Sequence, residues 1–253
     1  MRRKKEEVVK AYDLDIVIPV YNERRNIIKV LDALNQSVKT SFRVLICYDH
    51  DYDNTLPVVS EYKPTHFDIL LVKNQGQAVH GAIVTGFKTS TAPAVLVFPA
   101  DDDYNAGIID QMYEKFSQGF DIVAASRFIK GGRMVGAPVL KSILARAASF
   151  TLFWLASIPI RDASNGFRLF SRRIIDDIAI ESDRGFTYSL ELLVKCHRLG
   201  WKIAEVPALW FERTSGKSRF RISQWLPHYI RWYLYGFSTK YLRRPPESVR
   251  KTR

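Results

Sequence analysis

At 253 residues and 47% apolar, the chain can bury a sizeable core and reads as one α/β domain over 1–253, with its core at about 13–220. Its two cysteines give neither a disulfide framework nor a CxxC metal site, and residues 1–10 are charged with no apolar stretch behind them, so a reducing cytoplasmic setting is expected. The net charge of +12 favours an anionic partner; without zinc-finger spacing or an RRM-like motif, nucleic acid is disfavoured beside a phosphorylated substrate or an acidic membrane.

Residues 14–20 read as a first strand, followed by Tyr21-Asn22-Glu23 and a helical pattern carrying Ile27, Ile28, Leu31 and Leu34. Residues 42–47 and 67–72 read as further strands, 78–87 as a helix, and 94–98 as a fourth strand ending in Asp101-Asp102-Asp103. Ile108, Ile109, Met112 and Phe116 mark a helix face, and 121–125 is a fifth strand. Past residue 130, Gly131-Gly132 opens a loop, and 138–158 is a long apolar helical region. Asn165-Gly166 turns into 167–170, 189–199 is a helix, and 202–211 is extended. Short apolar strands alternating with helices predict a mostly parallel sheet with helices on both faces, and ligands of such sheets bind beyond the strands' carboxyl ends.

Those ends carry the candidate chemistry. Asp101 and Asp103 offer oxygen ligands suited to Mg²⁺ or Mn²⁺ shared with substrate phosphates, against a plain turn-and-cap reading. Asp49, in the cluster Asp49-His50-Asp51-Tyr52-Asp53, could accept from base or ribose groups, with turn chemistry the rival for Asp51 and Asp53. Gly76, followed by Gly81, suits either close ligand approach or helix packing, and it fits neither GxGxxG nor a phosphate loop. Arg127, Lys130 and Arg133 surround Gly131-Gly132, and 213–219 packs three cations among small residues; both suit phosphate oxygens or a solvated basic face. The five histidines show no ligand spacing, and no serine elbow marks a hydrolase.

Residues 221–244 form an amphipathic, aromatic stripe with basic flanks. Such a helix suits a lipid headgroup layer, a subunit interface of a homo-oligomer, or a cover over the core. The longest lipid-like stretch, 147–160, is 14 residues, short of the about 20 that span a bilayer.

In order and content, Pro19-Val20-Tyr21-Asn22-Glu23, the acidic stretch 49–55, Ala100-Asp101-Asp102-Asp103, Ala125-Ser126-Arg127-Phe128 with Gly131-Gly132, Asp162-Ala163-Ser164-Asn165-Gly166-Phe167-Arg168, and Arg213 with Gly216 and Ser218 resemble an inverting family 2 glycosyltransferase of GT-A fold. The likeness is strongest to dolichyl- or polyprenyl-phosphate sugar transferases and covers about residues 13–220. It implies a nucleotide diphosphate sugar donor (GDP-mannose or a UDP-sugar), a polyprenyl or dolichyl phosphate acceptor, and peripheral attachment to the cytoplasmic face of an anionic membrane. Pro19, Tyr21, Glu23 and Asp49 would line the base and ribose pocket. The aspartate motif departs from the family's Asp-Ala-Asp-x-Gln: Pro99 replaces the first Asp, Asp101 matches the second, and Asp103 stands at the Gln. Arg127 matches the acceptor loop; Arg213 and Ser218, with Arg219 for a common Lys, match a closing phosphate-binding segment. If the acceptor were an alcohol, Asp162 and then Glu191 would be candidate bases. The competing expectations are transfer to a soluble or glycan hydroxyl, or a nucleic-acid-binding or membrane-surface scaffold protein.

Overall fold

The computed structural model describes residues 11–212 and 222–252. Among the described residues nine strands form: β1 (Leu14–Val20), β2 (Phe42–Tyr48), β3 (Asp68–Lys73), β4 (Ala94–Val97), β5 (Ile122–Ser126), β6 (Arg133–Val135), β7 (Arg168–Ser171), β8 (Ile203–Pro207) and β9 (Leu209–Phe211). The helices are α1 (Ile27–Ser37), α2 (Thr55–Glu61), α3 (Ala78–Thr89), α4 (Ile109–Ser117), α5 (Val139–Trp154), α6 (Arg172–Asp177), α7 (Thr187–Arg198) and α8 (Ile222–Tyr241).

Seven strands make one sheet in the order β3-β2-β1-β4-β7-β5-β8, and β6 pairs with β9 beside it. β1 is parallel to β2, with Val17 opposite Leu45, and parallel to β4, with Val17 opposite Val97. Only β7 runs antiparallel, wedged between β4 and β5. The central strands are mostly apolar because both faces are covered, the usual state of parallel strands; the buried charges among them, Asp15 and Arg168, are hydrogen-bonded, Asp15 to Arg43. Val17, Leu45, Val95 and Val97 face one core with Phe87, Phe170, Leu192 and Trp232, whereas Ile16, Ile18, Val44 and Leu96 face the other with Leu31, Leu34 and Met112. Strand order reverses at β1, whose neighbours β2 and β4 are reached in opposite directions. That crevice is where open α/β sheets bind ligands.

Three elements escaped the sequence reading. α2 carries Pro57 in its first turn, where the missing N–H costs nothing, so the helix starts inside what looked like an acidic loop. α6 and β6 are too short for a periodic signal. Pro227, read as a kink or a later start, stays inside α8. Among the described residues, no helix is long and apolar enough to cross a membrane.

Candidate active site

A cavity of about 1610 Å³ opens over the carboxyl ends of β1, β4 and β5. The loop after β1 is held there by a clasp. Asn22 takes a left-handed φ of 58°, tolerable for asparagine, and its N–H donates to both oxygens of Asp53 at 3.1 and 3.0 Å. Glu23 N–H donates to Thr55 Oγ1 at 2.9 Å, and Thr55 N–H donates to Asp53 Oδ1 at 2.8 Å. Asp53 is thereby buried at 3% exposure and fully engaged in backbone hydrogen bonds, which is the turn chemistry expected of it. The clasp sets Pro19, Tyr21 and Glu23 on the cavity wall.

Asp49, at the end of β2, lines this cavity and a smaller one of about 280 Å³ beside it. Asn74 Nδ2 donates to Asp49 Oδ1 at 2.6 Å, while Asn74 Oδ1 accepts the Gly76 N–H at 2.7 Å. Gly76 lines the smaller cavity, and its glycine identity is explained by packing. A Cβ there would lie 2.8 Å from Gly81 Cα, and one on Gly81 would lie 2.7 Å from Gly76 C. The two backbones touch, so neither residue can carry a side chain.

The three aspartates after β4 part company. Asp101 lies on the cavity wall. Asp102 is buried, accepting Asn105 N–H at 3.0 Å and Asn105 Nδ2 at 2.7 Å, and burial pushes it up to about 6. Asn105 in turn grips Leu209 through both its amide groups, so Asp102 fastens this turn to β9. Asp103 is exposed and outside the lining. Among the described residues, no three or more His, Cys, Asp or Glu gather as a metal centre. A carboxylate on the wall at a strand switch point still suits Mg²⁺ or Mn²⁺, because such ions use one or two carboxylates and fill their other positions with phosphate oxygens and water.

At the end of β5, Arg127 forms a bidentate pair with Asp162, Nε to Oδ2 at 2.7 Å and Nη2 to Oδ1 at 2.8 Å. Arg127 N–H adds a 3.0 Å bond to the same carboxylate, and Nη2 also reaches Ser164 Oγ at 2.6 Å. Arg127 lines the cavity; Asp162, fully buried, stands behind it. Burial alone would raise Asp162, but the hydrogen bonds and charge of Arg127 hold it below the ordinary carboxylate value. Arg168, also fully buried, donates to the carbonyls of Ser189 at 2.5 Å and Ala163 at 2.7 Å, bracing the same loop; burial lowers it to about 10. Glu191 is likewise enclosed, accepting Lys195 Nζ at 2.6 Å and the N–H groups of Glu181 and Ser182 at 2.7 and 2.8 Å. The far wall is apolar and comes from α5 and α8, through Leu144, Ala148 and Leu152 and through Leu226, Tyr229 and Tyr233.

Over residues 15–179 the sequence matches the family described as Glycosyl transferase family 2. The chain belongs to that family. Among curated relatives, the dolichol-phosphate mannosyltransferase of Pyrococcus furiosus is 23% identical over 226 residues, covering 86% of this chain and 63% of the relative. The chain thus spans less than two thirds of that protein. The polyprenol monophosphomannose synthase of Mycolicibacterium smegmatis is 22% identical, with 83% of this chain and 85% of the relative covered. Among solved structures, glucosyl-3-phosphoglycerate synthase of Mycobacterium tuberculosis in complex with phosphoglyceric acid aligns with a TM-score of 0.62, at 15% identity, over 90% of this chain and 80% of that one. The same enzyme with Mn²⁺, UDP and phosphoglyceric acid aligns at 0.58, again at 15% identity, over 90% of this chain and 78% of that one. The fold is accordingly GT-A, as the family resemblance implies, and its mostly parallel sheet is what the strand pattern predicts.

Within this family 2 member, one cavity brings together Pro19, Tyr21, Glu23, Asp49, Asp101 and Arg127. Asp103 and Asp162 are not on its wall, and Gly76 lines the adjoining cavity. Arg213, Ser218 and Arg219 lie outside the described residues. Sequence reasoning gave no role to Asn74, Asn105 or Glu205. Glu205 accepts the N–H groups of Arg161 and Asp162 at 2.8 and 3.0 Å, and no local spacing announces such a long-range partner.

Proposed function

We propose that this chain transfers a hexose, with inversion, from a nucleotide diphosphate sugar to a polyprenyl or dolichyl phosphate. The observation that carries the reading is the two-sided character of the cavity: carboxylates and Arg127 at the strand ends, an apolar wall of α5 and α8 opposite. A nucleotide sugar needs the first side, and an isoprenoid acceptor needs both. The family membership and the names of the two curated relatives support the same chemistry.

In this reading Tyr21, Glu23 and Asp49 hold the nucleoside, with Gly76 shaping the neighbouring pocket. An oxygen of the acceptor phosphate attacks the anomeric carbon as the bond to the diphosphate breaks on the opposite face, releasing nucleoside diphosphate. The acceptor phosphate is already ionised near neutral pH, so no side chain has to remove a proton. That fits Asp162 and Glu191, whose carboxylates are taken up by Arg127 and Lys195. Asp162 acts here as the positioning residue for Arg127, which holds phosphate oxygens in line. Asp101, with Asp103 from the exposed side of the same turn, would hold Mg²⁺ or Mn²⁺, which when bound neutralises charge on the diphosphate. Arg213, Ser218 and Arg219 are assigned, from the resemblance, to a segment closing over the phosphates. The site works peripherally, at the cytoplasmic face of a membrane.

The test is a panel of nucleotide sugars with Mg²⁺ or Mn²⁺, incubated with and without polyprenyl phosphate. A lipid-linked hexose formed together with nucleoside diphosphate is expected. Turnover that ignores the lipid phosphate and needs a soluble hydroxyl acceptor would overturn the assignment.

A further inference from the structure

The described residues include 19 large apolar side chains that are exposed, and 12 of them sit on α5, on α8 or on the residue after each. On α5 the stripe is Leu140 (64% exposed), Ile143 (56%), Phe150 (62%) and Trp154 (56%). These recur at spacings of three, four and seven, so they share one helix face. α8 contributes less than its composition suggests. Trp232 is buried at 2%, and Tyr229, Tyr233 and Phe237 pack on the core, leaving Leu226, Ile230 and Leu234 as its outer edge. The two helices are joined by Thr151 Oγ1 and Tyr233 OH at 2.8 Å and by Tyr241 OH donating to Leu155 O at 3.2 Å. Their exposed apolar residues therefore belong to one continuous surface.

That surface runs into the cavity. Leu144, Leu226 and Ile230 are exposed and also line the cavity wall. Charge identifies the occupant. Residues 122–161 carry six Lys or Arg, residues 222–246 carry four, and all 26 Asp and Glu lie elsewhere in the chain. At the rim, Arg161 stacks on Phe153 at 4.2 Å and lies 5.8 Å from Trp154, and Arg146 stacks on Phe128 at 4.6 Å. Along the middle of α8 the charge is balanced instead: Arg231, 61% exposed, meets Glu181 at 3.4 Å and His228 meets Asp183 at 3.6 Å, so the unbalanced cations lie on the α5 side and at the end of α8. A second copy docked face to face would set like charges against one another. Aromatic and aliphatic side chains ringed by cations fit an anionic lipid surface.

We propose that α5, with the outer edge of α8, is a bilayer-docking face that inserts Leu140, Ile143, Phe150 and Trp154 at an anionic membrane surface. Docked this way, the apolar side of the cavity opens at headgroup depth, where a lipid-borne phosphate meets Arg127 without leaving the membrane. This docking deepens the lipid-phosphate reading above and rests on it for its purpose.

The test uses the full chain and vesicles of phosphatidylglycerol and phosphatidylcholine that contain no polyprenyl phosphate. The protein is expected to co-sediment with the anionic vesicles and not with pure phosphatidylcholine, and to release as salt rises. Phe150→Glu with Trp154→Glu should weaken binding about tenfold or more, and Arg146→Glu with Lys240→Glu should weaken it in the anionic case. Circular dichroism and melting verify that the variants fold. As a check needing no disruptive variant, brominated lipids should quench the wild-type tryptophan emission more than that of Trp154→Phe. Absence of wild-type binding, undiminished binding by Phe150→Glu with Trp154→Glu, or a stable dimer that those changes dissociate would each overturn the docking face. A chain that binds these vesicles yet turns over no nucleotide sugar would leave the docking face standing and sink the transferase reading alone.

Discussion

Replacing Asp162 by asparagine separates a positioning carboxylate from a catalytic base. Asp162 accepts three bonds from Arg127, at 2.7, 2.8 and 3.0 Å, and two from Ser164, at 3.3 and 3.1 Å, with no exposure to water. Asparagine keeps the shape but removes the charge and one acceptor, stranding a guanidinium that is 7% exposed. Breaking a buried pair from one side costs about 3–5 kcal/mol. For a chain of this size that is a fall in Tm of roughly 6–20 °C by scanning calorimetry. The native Asp162 has a lowered pKa, so its contribution is complete above the unfolded value of about 3.9 and is lost as pH falls through the lowered native value. Urea titrations should show wild type and Asp162→Asn separated by a constant gap from pH 5 to 8 that closes only in stronger acid. Transfer should fall about a hundredfold as Arg127 loses its aim, and Arg127→Lys should share the deficit, since a lysine cannot reproduce the bidentate fork. The reasoning fails if Asp162→Asn melts within about 2 °C of wild type yet abolishes transfer, because that is the behaviour of a base and not of a clasp.

Asp101→Asn should lower metal-supported release of nucleoside diphosphate about a hundredfold or more with little change in Tm, followed by a coupled assay across a Mn²⁺ titration. Asp53→Ala should destabilise by about 2–4 kcal/mol in urea and raise KM for the donor, since the backbone N–H groups of Asn22 and Thr55 lose their acceptor and the Tyr21 loop loosens. Gly132→Ala would place a Cβ 2.3 Å from Ser126 O, so the turn beside Arg127 must move; reduced Tm with loss of transfer is expected, and a neutral result contradicts the geometry. Trp232→Ala should cost about 3–5 kcal/mol in urea unfolding, because this α8 side chain fills the core. A neutral Trp232→Ala would return α8 to the surface role its composition suggests.

Much of the fold was legible because periodicity is local. The strands at 14–20 and 42–47 and the helix at 78–87 appear within a residue or two of their expected limits, since alternating burial is written into neighbours two to four positions apart. The convergence of acidic and basic groups at the strand ends was legible for the same reason. What periodicity could not do was rank those groups. Asp49 is set apart from Asp53 in sequence only by its pairing with the edge at Asp101 to Asp103 and by the family likeness; in the structure one lines the cavity and the other is spent on the Asn22 and Thr55 backbone. Asp101, Asp102 and Asp103 are consecutive, and only the first is on the wall. The aromatic stripe of 221–244 left a lipid layer, a subunit interface and a core cover open; in the structure Trp232 of α8 is buried, and the more exposed apolar stripe belongs to α5.

The sequence by itself determined an α/β sheet with its polar chemistry at the carboxyl ends, because strand alternation and turn composition are set by residues adjacent in the chain. Tertiary structure decided which carboxylates face a ligand and which hold the scaffold. It also decided that β7 enters the sheet antiparallel and that Trp232 turns inward. Those outcomes depend on partners far apart in sequence, 31 positions between Asn22 and Asp53, 35 between Arg127 and Asp162, and 104 between Asn105 and Leu209. A hydrogen bond across such a distance exists only once the chain has closed on itself, so its energy leaves no mark in local spacing.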